Sequence, residues 1–266
     1  MNSLPIGVFD SGLGGLTVVK ELRKRLPNEQ IIYFGDIARL PYGIKSKKQI
    51  IECSKENTLF LKAKKVKALV VACNSSASVS IPHLKKIFKS PIVDVIGPAV
   101  EEAVNKSEKN RIAVLGTQAT IDSGAYEKGI KRINKSAKVF SVACPLFVPL
   151  VEEGWSSNGV AGKTIDKYLS SLKKKNVDVL ILGCTHYPLL KQKIQKFMGS
   201  KVTIIDSAGP TVKKLKSVLD DKEYLAKKKQ KNLLQICVTD FPRNFVRIGE
   251  RFLGHKMGHV KVVKLK

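Results

Sequence analysis

Short apolar runs alternate with amphipathic stretches along almost the whole chain. This is the pattern of βα units arranged around a mostly parallel sheet. Apolar runs predict strands at Ile6–Phe9, Ile31–Phe34, Ala68–Ala72, Ile92–Val95, Ile112–Leu115, Ala137–Val142, Val177–Leu182, Val202–Ile205 and Leu233–Val238. Amphipathic stretches predict helices at Leu16–Leu26, Asn57–Lys65, Gly124–Ile133, Gly162–Lys175, Thr211–Leu219 and Phe241–Phe252, with another beginning near Pro188. The sequence therefore predicts an α/β fold.

The chain also repeats itself. Three pairs of segments resemble each other in the same order at offsets of 111, 112 and 106 residues: 70–75 with 181–186, 94–100 with 206–212, and 6–11 with 112–117. Such internal similarity predicts two pseudosymmetric α/β halves, each a mostly parallel sheet flanked by helices. Gly-Pro pairs at 97–98 and 209–210 stand where the chain would pass between halves. We expect a first domain of residues 1–97 plus 210–266 and a second of 98–209.

The charge is the unusual feature of the composition. The 266 residues carry a formal charge of +26, with 40 lysines against 8 arginines and only 6% aromatic residues. A nucleic-acid reader usually favours arginine, whose planar fork binds phosphate and guanine bidentately. The lysines instead spread over helix-like faces, which favours a solvated surface. Non-specific attraction to anions, nucleic acid included, remains open as an additional binding role.

Several classes of protein are not supported by the sequence. No apolar run reaches the ~18 residues of a membrane span, and the first residues do not resemble a signal peptide. An odd number of cysteines, five, does not suggest a disulfide framework. Neither a C-x-x-C pair nor a phosphate-loop pattern occurs, since Gly12-Leu-Gly14-Gly15 matches neither common glycine motif. We expect a cytoplasmic protein that needs no metal or cofactor and no membrane.

Each predicted half carries one cysteine in the same setting. Cys73 and Cys184 both follow a buried-looking strand and precede a helix. Ligands of open α/β sheets bind at this carboxyl end of the strands, and a helix N-terminus favours the thiolate form. A lone cysteine there is more often a small buried hydrophobe. Two at equivalent points of a duplicated unit predict thiols that face each other across a cleft between the halves.

Two opposed thiols suit the inversion of a carbon stereocentre. One group removes a proton from one face of the carbon and the other delivers a proton to the opposite face. Of the remaining cysteines, Cys53 and Cys237 fit structural positions, whereas Cys144 follows a strand without a matching partner. A cysteine hydrolase stays an alternative, although it would need a base-paired nucleophile and an oxyanion hole.

Five motifs in register resemble the bacterial glutamate racemase family across essentially the whole chain. They are Phe9-Asp-Ser-Gly-Leu-Gly-Gly-Leu-Thr17, Gly35-Asp36 with Pro41-Tyr-Gly43, Ala72-Cys-Asn-Ser-Ser-Ala77, Pro145-Leu-Phe-Val-Pro-Leu-Val-Glu-Glu-Gly154 and Leu182-Gly-Cys-Thr-His-Tyr-Pro-Leu189. The resemblance implies a two-domain α/β enzyme with its active site in the interdomain cleft. It also implies cofactor-independent interconversion of L- and D-glutamate for peptidoglycan synthesis, and a homodimer. Aspartate and hydantoin racemases of the same superfamily are the nearest alternatives.

The resemblance also implies roles for individual residues. Cys73 and Cys184 become the proton donor and acceptor, assisted by three further side chains: Asp10, Glu152 and His186. The substrate-contact positions of the family correspond to Asp10, Ser11, Tyr42, Gly43, Asn74, Ser75, Thr185 and His186. Ser75 is a departure, because the family commonly has threonine there, so a methyl group is lost while the hydroxyl is kept. Without the resemblance, Asp10 would be a helix N-cap and Glu152 an exposed loop acid.

Overall fold

Two separate parallel sheets form the centre of the protein. The computed structural model describes residues 2–228 and 233–265, so residues 229–232 of the expected first domain lie outside the described residues. The strands of the described part are β1 Ile6–Asp10, β2 Ile31–Gly35, β3 Ala68–Val71, β4 Ile92–Asp94, β5 Arg111–Gly116, β6 Lys138–Ala143, β7 Val179–Gly183, β8 Thr203–Asp206, β9 Leu234–Val238 and β10 Val260–Val262.

The strand orders of the two sheets correspond to each other. The larger sheet has the order β10-β9-β2-β1-β3-β4 and the smaller one β6-β5-β7-β8, and every recorded pairing is parallel. The order β2-β1-β3-β4 is therefore repeated as β6-β5-β7-β8, with β9 and β10 added at one edge of the larger sheet. This confirms the predicted α/β fold with two parallel sheets.

Helices cover both sheets, which is why the central strands are almost entirely apolar. The strands β1, β2, β3 and β7 are buried at every position. The helices of the described part are α1 Leu16–Arg25, α2 Lys47–Ala63, α3 Asn74–Ile87, α4 Gly97–Lys106, α5 Gln118–Asp122, α6 Ala125–Ile133, α7 Phe147–Glu152, α8 Gly159–Lys173, α9 Lys191–Met198, α10 Ala208–Asp221 and α11 Phe245–Leu253.

Local sequence explains where several helices begin. The Ser46 side chain accepts a hydrogen bond from the Gln49 backbone N–H and so caps α2, which starts ten residues before the predicted helix at Asn57. Asn158 caps α8 in the same way through the Ala161 N–H. Pro98 occupies the first turn of α4, where proline costs no hydrogen bond. The Gly-Pro pair at 97–98 thus opens a helix.

Candidate active site

The two predicted cysteines stand at equivalent points of the two sheets. Cys73 follows β3 and is the N-cap residue of α3, whereas Cys184 follows β7, the counterpart of β3, and precedes a short 3-10 turn at Tyr187–Leu190. Both side chains are buried and both line one cavity of about 290 Å³. The structure thus brings the two thiols together at the carboxyl ends of strands from different sheets, as the duplication predicted.

Most of the other predicted residues line the same cavity. The predicted site residues found in its wall are Ser11, Tyr42, Gly43, Cys73, Asn74, Ser75, Glu152, Cys184, Thr185 and His186. Asp10 is the exception, since it is fully buried behind the first βα turn. Its Oδ2 accepts hydrogen bonds from the Gly12 and Gly15 N–H groups at 3.2 and 3.1 Å. These bonds fix the turn that carries Ser11 into the cavity.

The surroundings of Cys73 disfavour a negative charge. Its Sγ lies 3.5 Å from Ser11 Oγ. Burial, and after it the nearby Asp10 carboxyl group, raise the pKa of Cys73 to about 12, although the hydrogen bond with Ser11 opposes this. Burial also raises the pKa of Asp10. In the structure described, Cys73 is therefore a thiol at neutral pH.

The surroundings of Cys184 are of the opposite kind. His186 Nδ1 lies 3.9 Å from Cys184 Sγ, and its Nε2 lies 3.1 Å from Glu152 Oε1. Burial alone lowers the pKa of His186, but its hydrogen bonds to Cys184 and Glu152 and their negative charges outweigh burial and raise it to about 10. An imidazolium beside Cys184 stabilises a negative charge on that sulfur. The rings of Phe252 and His186 pack nearly perpendicular to each other, with 5.2 Å between their centroids.

A cluster of three hydroxyl groups joins the two halves at another wall of the cavity. Ser75 Oγ lies 2.9 Å from Thr117 Oγ1, which lies 3.0 Å from Thr120 Oγ1. Thr117 lines the cavity and caps α5, yet neither threonine was among the predicted site residues. The repeat contained a signal for Thr117, since it aligns with Ser11 at the offset of 106 residues.

The Pro41–Gly43 segment forms a further wall. The Tyr42 hydroxyl donates to Asp36 and accepts a hydrogen bond from Asn57 Nδ2 at 3.1 Å, so it is already paired within its own half. A Cβ atom added at Gly43 would lie 2.7 Å from Thr117 Cβ. A glycine is therefore needed for the close approach of the two halves at this point.

The remaining cysteines lie outside the cavity wall. Cys53, Cys144 and Cys237 are buried thiols. Burial raises the pKa of Cys144, whose Sγ lies 3.7 Å from the Val142 carbonyl oxygen. These environments are those of inert structural cysteines.

Two classes of feature are absent from the described ranges. Residues 2–228 and 233–265 contain no group of three or more His, Cys, Asp or Glu side chains placed to hold a metal ion. Within the same ranges, every helix is too short or too polar to cross a membrane.

Comparison with known proteins identifies the family to which this pair of similar sheets and cavity-lining thiols belongs. A model of the Asp/Glu/hydantoin racemase family matches residues 13–215, and the chain belongs to this family. The glutamate racemase of Geobacter metallireducens is 46% identical over 261 residues, 98% of this chain and 97% of that protein. The glutamate racemase of Aquifex aeolicus is 47% identical over 254 residues, 96% of each protein.

A solved structure of a glutamate racemase is also similar to this chain. The crystal structure of glutamate racemase from Francisella tularensis in complex with D-glutamate is 42% identical to this chain. It superposes with a TM-score of 0.94 and covers 100% of this chain and 99% of that one. Together, these comparisons confirm the resemblance to glutamate racemases that the five motifs indicated.

Proposed function

We propose that this protein interconverts L- and D-glutamate by moving the α-proton between Cys73 and Cys184. The observation that carries the proposal is the pair of thiols at equivalent strand ends lining one cavity. The relatives named above, all glutamate racemases, support glutamate as the substrate. For the same reason, neither the aspartate and hydantoin alternatives nor a hydrolase is favoured, and no observation favours a dedicated role for the basic surface.

The proposed reaction has two proton transfers and needs no other reactant. A thiolate on one side takes the α-proton, and the electron pair of the C–H bond stays on carbon as a carbanion. The thiol on the other side gives its proton to the opposite face, which inverts the centre and leaves that sulfur as the thiolate. His186, paired with Glu152, stabilises the thiolate form of Cys184, while Asp10 acts near Cys73.

The polar wall of the cavity supports binding of a dicarboxylate. We assign one carboxylate to the hydroxyl groups of Ser75 and Thr117, because both residues line the cavity and hydroxyl groups are good donors to carboxylate oxygens. Backbone N–H groups at Gly43 and at the start of α3, directly after Cys73, would complete the binding of both carboxylates. Ser11, Asn74 and Thr185 remain for the α-amino end.

Circular dichroism of each glutamate enantiomer with the purified protein tests this function directly. We expect both enantiomers to reach the same racemic endpoint without added pyridoxal phosphate, metal or nucleotide. We also expect kcat/KM for glutamate to exceed that for aspartate by at least ~100-fold, because the shorter carboxylate leaves buried donors unpaired. Dependence on an added cofactor, or equal rates on aspartate, would contradict the proposal.

The cellular setting is part of the same proposal. We propose that the D-glutamate supplies peptidoglycan synthesis in the cytoplasm, and that the protein acts as a homodimer, as the resemblance implies. Sedimentation of the purified protein at several concentrations tests whether it is a dimer. A monomer at every concentration would contradict it.

A further inference from the structure

Tyr126 connects the two walls of the cavity without lining it. It lies on α6, in the half that carries Cys184, and only 2% of its surface is exposed. Its hydroxyl accepts a hydrogen bond from Nδ2 of Asn74, the residue after Cys73, at 2.8 Å. Its ring packs against Gly183, the residue before Cys184, where an added Cβ would lie 3.0 Å from Cε2. One side chain therefore touches the neighbours of both thiols.

Three hydrogen bonds fix the direction in which Tyr126 donates. Ser207 Oγ lies 3.3 Å from the Leu182 carbonyl oxygen, which can only accept, so Ser207 donates its single hydroxyl hydrogen there. Ser207 must then accept from the Tyr126 hydroxyl, 3.4 Å away. Because that hydroxyl has given its hydrogen to Ser207, it can only accept from Asn74.

The donor direction of the Tyr126 hydroxyl also fixes the orientation of the Asn74 amide group. With one N–H of Nδ2 donated to Tyr126, the amide is fixed with Oδ1 as its free acceptor. That oxygen is buried and has no hydrogen-bond partner among the described residues, while Asn74 itself lines the cavity. An acceptor requires a ligand that donates, and the only donor group of glutamate at neutral pH is its α-ammonium group.

We propose that the relay from Ser207 through Tyr126 holds the Asn74 amide with its oxygen towards the substrate and so makes it the acceptor for the α-ammonium group. Tyr126 and Ser207 are thus positioning residues, and the statement rests on the proposed function. Burial raises the pKa of Tyr126, which keeps its hydroxyl protonated at neutral pH as the relay requires.

Two variants break the relay in different ways. Tyr126→Phe removes the acceptor of Asn74 Nδ2, so the amide loses its fixed orientation. Ser207→Ala leaves the Tyr126 hydrogen without its acceptor, so the hydroxyl turns towards Asn74 and favours the flipped amide. In both variants we expect the Kd of D-glutamate to rise about tenfold or more, since a hydrogen bond to a charged group is lost.

Glutarate is the discriminating probe, because it keeps both carboxylates and lacks the ammonium group. Titration calorimetry with D-glutamate and glutarate should show the glutamate affinity falling while the Kd of glutarate stays within about twofold. Tyr168→Phe is the matched control. It removes a tyrosine hydroxyl of the same half that accepts from the Leu146 N–H outside the cavity, and it should leave both affinities unchanged.

The outcomes separate this inference from the proposed function. A rise in Kd for glutamate alone, in either folded variant, supports the relay. Unchanged glutamate affinity in both variants, or glutarate affinity that falls in step with glutamate affinity, overturns it. A wild-type protein that binds glutamate without racemising it would contradict the proposed function. The effect of the variants on the Kd of glutamate relative to that of glutarate would still test the relay.

Discussion

Residues around the two thiols give them different electrostatic environments in one cavity. Cys73 is buried near Asp10, whereas Cys184 lies beside an imidazolium held by Glu152. Because only a thiolate reacts with alkylating agents, the two should differ in reactivity although both are almost completely buried.

Alkylation by iodoacetamide at pH 7.5, followed by mass spectrometry of peptides, measures this difference. We expect Cys184 to be modified at least ~10-fold faster than Cys73, because a thiol with a pKa of about 12 contains almost no thiolate at that pH. Saturating glutamate should slow the reaction at Cys184. Cys144 is the control, as a buried thiol outside the cavity. Faster modification of Cys73 would contradict the assigned asymmetry.

His186 also links the site to stability. A histidine whose pKa is raised from 6.5 to about 10 on folding contributes stability that is fully present below pH 6.5. That contribution falls as the pH rises and is lost above 10. Glu152→Gln removes one of the causes of the shift, so the variant should be less stable than the wild type near pH 6.5, with the gap closing towards pH 10. Urea unfolding at pH 6.5, 8 and 10 measures the difference in the free energy of unfolding between the two proteins. A difference that widens as the pH rises would contradict the raised pKa of His186.

The duplicated strand ends predicted the two cysteines of the cavity wall, because ligands bind at the carboxyl ends of strands in this class of sheet. The other predicted wall residues came from the family resemblance. Neither the strand ends nor the resemblance predicted Thr120 or the relay from Ser207 to Asn74. The contacts of Tyr126 with Asn74 and of Thr117 with Ser75 form only when the two halves pack, and no local pattern encodes such packing. Asp10 was predicted as a site residue. The sequence did not predict that it would lie behind the first turn and bind the backbone there.

Among the elements, the glycine-rich turn between β1 and α1 shows how closely the halves approach. A Cβ atom added at Gly14 would overlap the Thr185 side chain and lie 2.6 Å from His186 Nδ1. The turn of one half therefore packs directly on the residues that follow Cys184. Its glycine is explained by this contact rather than by phosphate binding.

Gly14→Ala should consequently damage catalysis by displacing His186. We expect kcat/KM to fall on the order of 100-fold in a folded protein, as small misplacements of catalytic groups do. Gly162→Ala is the matched control, because nothing lies within 4 Å of a Cβ at that position in α8. It should keep full activity and gain about 0.5–1 kcal/mol of stability, the usual helix preference for alanine. Full activity in Gly14→Ala would contradict the close packing.

Strands were predicted better than helices, since the sequence analysis gave no range for α3, α4, α5 or α7. The apolar strands β1 to β9 were all found, because buried parallel strands are continuous apolar runs. β10 at Val260–Val262 was missed, since it is a short edge strand with one lysine and largely exposed positions. The helix predicted from Phe241 begins at Phe245, after Pro242 interrupts the pattern. The domain boundaries after residues 97 and 209 stay a prediction.

On the scale of the whole molecule, the duplication explains why two like residues face one substrate. Two copies of the order β2-β1-β3-β4 place the ends of β3 and β7 at one cavity, and with them Cys73 and Cys184. Mirror-image substrates of equal energy suit a nearly symmetric pair of proton-transfer groups. The two copies differ in the side chains around these sulfurs, with His186 and Glu152 near Cys184 and Asp10 near Cys73.

Elimination from a glutamate analogue with a leaving group on its β-carbon tests the paired-thiol mechanism most directly, because elimination needs only the first proton transfer. Cys73→Ser and Cys184→Ser should both lose racemisation, since a hydroxyl is a far weaker base than a thiolate. Cys73→Ser should still eliminate from the L form and Cys184→Ser from the D form, with that assignment of faces taken from the family resemblance. Cys144→Ser should racemise glutamate normally. Elimination of the same enantiomer by both site variants would contradict the mechanism.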